Sequence, residues 1–290
     1  MKILVIGGTR YFGKRLVHLL LKQGHELWVL SRGQVEDDFG ARVHRLKADR
    51  SHKEALLQAT SGLEFDVVMD QVCMNASQAA LACEVFAQKT KHYVMTSTLS
   101  VYPLGADLKE AEVDPLQYQA KPATNAAEEY AEGKRAAENY FATKAPFTWA
   151  FARFPVVVGE DDYTLRLHHQ VKRVLEGKGI YYPNLNAKFS FITSEDAAKA
   201  LFWLIENRKQ GSYNFASEDA ISLRRLIEEV ELVTGKKASL LERPDQEAWS
   251  PFGIPEDWYM NTEKAQSEGF TCQPLRKWLR PLLKKILDGI

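Results

Sequence analysis

Short apolar runs alternate with amphipathic stretches along the first half of the chain. Residues 3–6 (Ile-Leu-Val-Ile) read as a fully buried strand, and residues 12–21 set Phe12, Leu16, Val17, Leu19 and Leu20 at helical spacing. Gly24 stops that helix and residues 27–31 form the next strand. Further strands are expected at 43–47, 65–70, 92–97 and 148–158, with helices at about 54–59, 77–88 and 125–143. Alternating strand and helix predicts parallel pairing, because each right-handed crossover lays its helix on a sheet face. After Gly159 the texture changes. Helices at about 164–175, 194–206 and 222–234 are interrupted by short strands at 180–182, 189–193 and 213–215. From Pro274, residues Leu275, Trp278, Leu279, Leu282, Leu283 and Ile286 keep helical spacing and predict a closing helix packed on the body. The expected division is a nucleotide-binding domain over 1–159 and a substrate lobe over 160–290, with the chain crossing between the lobes and ending in that closing helix. Segment 103–123 is polar, Pro-punctuated and too long for an idle connection, and reads as a lid or substrate loop.

Charge narrows the partners. Lys and Arg number 38, Asp and Glu 38, so the net charge is zero, which disfavours a nucleic-acid-coating role driven by counterion release. Residues 3–6 are too few for a secretory apolar core of roughly 7–15 residues, and no run reaches the roughly 18 of a membrane span. A cytoplasmic setting without membrane contact is expected. Cys73, Cys83 and Cys272 lack CxxC spacing and read as buried free thiols. No metal site is expected; His168 and His169 are adjacent, diverge by about 100° on a helix and read as a solvated pair. Trp249, Phe252, Trp258 and Tyr259 suit either a substrate wall or a satellite core.

Gly7-Gly8-Thr9-Arg10-Tyr11-Phe12-Gly13 follows the first strand and opens the first helix. Glycines there let the backbone turn tightly and approach a pyrophosphate, whose charge meets the helix N-terminus. In the spacing GxxGxxG the middle position is Arg10. No carboxylate ends the second strand to hold ribose hydroxyls; Ser31 and Arg32 stand there instead, and a guanidinium suits a 2′-phosphate. NADP(H) is therefore favoured over NAD(H). Tyr130 and Lys134 lie at i and i+4 on one helix face. A phenol ionises near pH 10 and is a poor base near neutrality, so a neighbouring ammonium that favours phenolate is chemically apt. Tyr140 and Lys144 share the spacing, but ten residues turn a helix by about 1000°, which leaves Tyr140 about 80° away. Beside Phe141, Tyr140 reads as core.

These motifs, in this order, resemble the extended short-chain dehydrogenase/reductase superfamily, the NAD(P)-dependent epimerase/dehydratase group. The likeness runs through GGTRYFG, Ala48-Asp49-Arg50, STLSVY, YxxxKRAAE, RFPVVVG, FSFITSEDAA and NTEKAQSEGF. The GGTR form, with Ser-Arg-Gly after the second strand, is most similar to the atypical subgroup that includes chloroplast stem-loop-binding proteins. The resemblance implies a doubly wound parallel-sheet α/β Rossmann fold with a smaller C-terminal α+β lobe. It implies Thr98 as the hydroxyl that orients the substrate oxygen, Tyr130 as acid/base and Lys134 as its partner and ribose ligand. The implied cofactor site comprises Gly7, Thr9, Arg10, Tyr11, Phe12 and Gly13; Ser31 and Arg32; Asp49 and Arg50; Gln71, Thr96 and Lys134; and Phe154, Pro155 and Val156, with Arg153 near the nicotinamide end. Residues 69–73 (Met-Asp-Gln-Val-Cys) replace the His-Leu-Ala-Ala run of many relatives. Leu99-Ser100 lacks the Asp-Glu pair of the 4,6-dehydratases, which sets sugar dehydration aside, and Phe154-Pro155 replaces the Asn-Pro of many nucleotide-sugar epimerases. The expected activity is hydride transfer at a hydroxyl- or carbonyl-bearing carbon of a sugar or nucleotide-sugar-like small molecule held between the lobes. The alternatives are an NADPH-dependent carbonyl reductase and a non-catalytic nucleotide- or RNA-binding protein. The resemblance also implies a homodimer formed through helices 77–88 and 125–143.

Overall fold

The computed structural model describes residues 1–290. In chain order the first half runs β1 (Lys2–Ile6), α1 (Tyr11–Lys22), β2 (Glu26–Ser31), β3 (His44–Lys47), α2 (Lys53–Ala59), β4 (Val67–Asp70), α3 (Ala76–Phe86), β5 (His92–Thr98), β6 (Gly105–Leu108), α4 (Ala126–Lys144) and β7 (Thr148–Phe154). The second half runs β8 (Val156–Val158), α5 (Arg166–Glu176), β9 (Gly179–Tyr181), β10 (Lys188–Phe189), β11 (Phe191–Thr193), α6 (Ser194–Glu206) and β12 (Gly211–Asn214). It closes with β13 (Ile221–Ser222), α7 (Leu223–Thr234), β14 (Ser239–Leu241), β15 (Trp258–Met260), α8 (Glu263–Ser267) and α9 (Leu275–Asp288). No helix is long and apolar enough to cross a membrane.

Contacts divide the chain into two units, the first being Met1–Val101, Glu110–Phe154 and Ala197–Asn214. Its centre is a seven-stranded sheet in the order β12-β7-β5-β4-β1-β2-β3, parallel at every pair. Strands covered on both faces have no polar side to show, which is why β4 and β5 are buried at every position. On one face Leu4, Val68, Tyr93 and Met95 pack with Phe86, Phe141 and Phe151. Tyr140 is half-buried against this cluster, as the helical phase predicts. The winding reverses between β1 and β4, and their carboxyl ends are the switch point where such sheets bind ligands.

The second unit is Tyr102–Lys109, Pro155–Asp196 and Phe215–Ile290. It holds a mixed four-stranded sheet, β13-β10-β15-β6, and two parallel pairs, β11-β8 and β14-β9. Helices α5, α7 and α9 pack on one another. Helix α9 buries Leu275, Trp278, Leu279, Leu283 and Ile286, and Trp278 Nε1 donates to Ser217 Oγ (2.9 Å), so the closing helix is realised. Among the aromatics, Phe252 is core against Phe191, whereas Trp249 is exposed and rests on Tyr181.

Three departures from the expected outline have physical causes. The run 148–158 splits because Pro155 has no N–H to donate; β7 stays in the large sheet and β8 pairs with β11. The strand expected at 213–215 is Gly211–Asn214, which pairs with β7, so 197–214 belong to the sheet unit and the chain crosses back into it after 159. Within 103–123, residues 105–108 form β6 against β15, a non-local pairing that local pattern does not announce.

Candidate functional site

The turn after β1 is built for close approach. Gly7 has φ +84°, a left-handed conformation that glycine adopts without strain. A Cβ at Gly13 would lie 2.4 Å from Gln71 Oε1, and one at Gly8 would lie 2.8 Å from Val5. Glycine at both positions lets α1 seat against β1 and β4. Helix α1 begins with no acidic residue in its first turn and no side-chain cap from Arg10, a helix N-terminus whose polarity suits an anion. Gln71 Nε2 is buried without a partner beside the same turn. Tyr11 is held at φ +52°, strain of the kind stored at ligand sites. The Phe12 ring meets Phe154 edge-on at 5.8 Å.

At the carboxyl ends of β2 and β3, Ser31 Oγ accepts from Gly33 N (3.2 Å) and Ala48 N donates to Ser31 O (3.1 Å). Asp49 accepts from Ser51 N (2.8 Å). That hydrogen bond holds its carboxyl below the usual range, with the charges of His52 and Arg32 contributing. Arg50 points inward instead: its guanidinium is buried, paired with Asp70, and donates to Gln78 O (2.9 Å). Burial opposes that charge, but Asp70, Tyr93 and Cys73 together outweigh it and hold Arg50 protonated. Asp70 also accepts from Tyr93 Oη (2.7 Å) and Val72 N (2.9 Å). Asp70 therefore ties Val72, and with it the turn after β4, to the interior. Burial, with Asp70 nearby, pushes the Cys73 thiol up to about 12.

Helix α4 crosses the end of β5. Asn125 caps it, accepting from Ala127 N and Glu128 N. Lys134, 2% exposed, donates to Thr96 O (2.8 Å) and Cys73 O (2.7 Å). Gly133 makes this approach feasible, because a Cβ there would sit 2.6 Å from Met74 O. Tyr130, one turn before Lys134 on the same face, is exposed. Thr98 Oγ1 accepts from Ser100 N (3.1 Å), and Thr96 Oγ1 is buried without a partner. Pro155 and Val156 fall in the second unit, where Val156 pairs with Phe191.

Sequence reasoning assigned no role to Glu138. Its carboxylate is buried with Arg153, accepting from Arg153 Nη2 (2.6 Å), Arg153 Nε (3.1 Å) and Ser97 Oγ (2.5 Å). Arg153 in turn donates to Glu110 O (3.2 Å) and Val113 O (2.8 Å). The pair fixes α4 to β7, and the Ser97 hydrogen bond ties Glu138 to β5, the strand carrying Thr96 and Thr98. A Glu at i+4 from Lys134 and an Arg inside the apolar run 148–154 were the available signals.

Residues 3–216 match the NAD dependent epimerase/dehydratase family. The chloroplast stem-loop binding protein of 41 kDa b of Arabidopsis thaliana is 25% identical over 237 residues, covering 76% of this chain. The chain spans 60% of that protein's length. The bifunctional pinoresinol-lariciresinol reductase 2 of Linum usitatissimum is 43% identical over 61 residues, 21% of this chain and 17% of its own length. Among solved structures, the UDP-glucose 4-epimerase of Thermus thermophilus in complex with NAD superposes over all of both chains with TM-score 0.78 at 19% identity, a likeness of fold. On its matched length and its motifs, the chain belongs to the NAD dependent epimerase/dehydratase family.

Proposed function

We propose that the protein is an enzyme that transfers hydride at a hydroxyl- or carbonyl-bearing carbon of a small molecule, using NADP(H) in preference to NAD(H). The observation that carries this reading is the buried ammonium of Lys134, anchored on Thr96 O and Cys73 O one helical turn beyond an exposed Tyr130. Burying a charge costs free energy unless it is paired and used, and its site here is the end of β5, where Thr98 stands.

The glycine turn, the uncapped α1 N-terminus and the unpartnered Gln71 carboxamide fit a dinucleotide. Gly7, Thr9, Arg10 and Gly13 would hold its phosphates, and Arg32 and Asp49 its adenosine end. When bound, the nicotinamide supplies a reversible hydride acceptor. Thr98 orients the substrate oxygen by a hydrogen bond. Tyr130 moves that oxygen's proton, taking it as the carbonyl forms and returning it as the hydroxyl forms. Lys134 sets a fixed positive charge near Tyr130 and spends two of its three protons on backbone carbonyls, which locks its position.

Two turnover modes remain within this reading. An epimerase regenerates its cofactor in each cycle, whereas a reductase consumes it; the Linum relative carries a reductase's name. Mass spectrometry of nucleotide released on denaturation, followed by titration of the stripped protein with NADPH and NADH, separates them. Retained oxidised cofactor supports epimerisation, and an empty protein that binds NADPH supports reduction. Binding of neither dinucleotide refutes the proposal and favours a binding protein. With substrate in hand, Tyr130→Phe should lower kcat by about 10²-fold or more while dinucleotide affinity holds; unchanged turnover refutes the assignment.

A further inference from the structure

The proposed reaction uses the carboxyl ends of β1, β4 and β5. The opposite edge of the same sheet holds a cavity of about 860 Å³, entirely within the first unit. It lies at the amino ends of β5, β7 and β12, where the connections leading into those strands converge: residues 87–91, 145–149 and 210–211. Parallel pairing of β5 with β7 and of β7 with β12 brings the three together, because neighbouring parallel strands start on one edge.

The aromatic walls are preformed. The Phe147 ring stacks on Tyr93, with centroids 5.2 Å apart and planes at 12°, and the Trp149 ring stacks on Phe151 at 4.4 Å and 13°. The two threonines of the lining are spent on the fold. Thr90 Oγ1 donates to His92 O (3.0 Å), and Thr148 Oγ1 donates to Lys91 O (3.0 Å) while accepting from His92 Nδ1 (2.8 Å). Four other polar groups of the lining are not spent. The exposed Lys91 ammonium forms no ion pair or hydrogen bond, and the Gln88 and Gln210 carboxamides and the Trp149 indole N–H bond to no protein group. No carboxylate stands in the lining. Fixed aromatic walls with a few convergent donors are the anatomy of a small-molecule site, and the volume falls within the range of about 300–1,000 Å³ that such sites have.

The chemistry of the lining selects the ligand class. A positive charge and N–H donors without an acidic residue favour an anion, and flat walls favour a ring system. One ammonium matches the single charge of a carboxylate better than the charge of about −1.5 to −2 on a phosphate monoester. We propose that this cavity binds a small aromatic carboxylate, its ring against Trp149 and Phe147 and its carboxylate on Lys91. None of these residues takes part in hydride transfer, so the site is independent of the proposed function.

The test follows the indole N–H signals of the six tryptophans in the full chain by ¹H–¹⁵N NMR while 2-naphthoate is titrated through the millimolar range. The Trp149 signal is assigned by its absence from Trp149→Phe, and neutral 2-naphthamide, with the same ring, is the control. The expected result is a saturable shift of the Trp149 signal with a Kd of about 1 mM or below. At low salt the amide should bind about two- to fivefold more weakly than the acid, and Lys91→Gln should bind the acid no better than the amide. No shift at Trp149, equal affinity for acid and amide, or an unchanged ratio in Lys91→Gln overturns the proposal. Replacing Lys91 removes no hydrogen bond of the fold; if Trp149→Phe does not fold, ligand-observed affinities of the wild type and Lys91→Gln for the two probes decide by the same ratio. A Trp149 shift that persists in excess NADPH supports the proposal, whereas one that NADPH abolishes places naphthoate at the dinucleotide turn and overturns it. Absence of NADPH binding beside a persistent naphthoate shift refutes the proposed function alone.

Discussion

Replacing Glu138 by Gln changes one charge in the most buried ion pair of the first unit. Arg153 is fully buried and Glu138 is 1% exposed. Gln retains one oxygen for Arg153 Nε and Ser97 Oγ, but its NH₂ faces Arg153 Nη2, donor against donor, where Oε2 accepts at 2.6 Å. The guanidinium then keeps its bonds to Glu110 O and Val113 O while losing its counter-charge. Breaking a buried pair on one side costs about 3–5 kcal/mol. For 290 residues the unfolding entropy near the midpoint is about 0.6 kcal/mol/K, which converts that loss to a fall in Tm of about 5–8 °C. Calorimetric melting of the wild type, Glu138→Gln, Arg153→Met and the double variant Glu138→Leu/Arg153→Met measures it. The double variant should melt well above the sum of the two single losses, because it removes both charges and leaves neither stranded. A drop in Tm of less than about 2 °C for Glu138→Gln, or strict additivity across the cycle, would refute the idea that this pair clamps α4 to β7.

Three other outcomes are expected. Arg32→Ser should weaken NADPH binding by about 10- to 150-fold, the worth of a charge-assisted hydrogen bond to a 2′-phosphate, with NADH affinity nearly unchanged; equal losses for both cofactors would show Arg32 stacking on adenine instead. Gly133→Ala would gain about 1 kcal/mol from helix propensity alone, yet its Cβ would lie 2.6 Å from Met74 O. Thermal melting should therefore show a net loss of about 1–3 kcal/mol and dinucleotide titration a weaker site as the Lys134–Cys73 contact opens; a net gain in stability would refute the close approach. His92 is buried, donates from Nδ1 to Thr148 Oγ1 (2.8 Å), and is pushed down to about 4 by burial with Arg208 nearby. Between about pH 6.5 and 4 the unfolded chain takes up a proton that the folded one refuses, so stability falls with pH across that window by up to about 3 kcal/mol. Denaturant titrations at several pH values should show a flatter acid limb for His92→Gln, and identical slopes would refute the assignment.

The parallel sheet was legible because strands buried on both faces leave unbroken apolar runs, as at 3–6 and 27–30, and glycines mark where they turn. Tyr130 and Lys134 were legible from spacing, since i and i+4 share a helix face wherever the helix lies. The pairs beneath them were hidden for the opposite reason. Lys, Arg, Asp and Glu are read by default as surface residues, and only tertiary structure reveals that Arg50 meets Asp70 and Arg153 meets Glu138. Each does leave a trace: Asp70 ends the run Val67–Asp70, and Arg153 interrupts the apolar part of Thr148–Phe154. A charge inside a strand covered on both faces demands a counter-charge, so such positions are where a pattern reading should search for a partner. The same logic covers His168. Helix α5 buries Leu167, Val171 and Val174, and a residue beside that stripe is carried partly inward with it, which is why His168 is half-buried where adjacent histidines read as solvated.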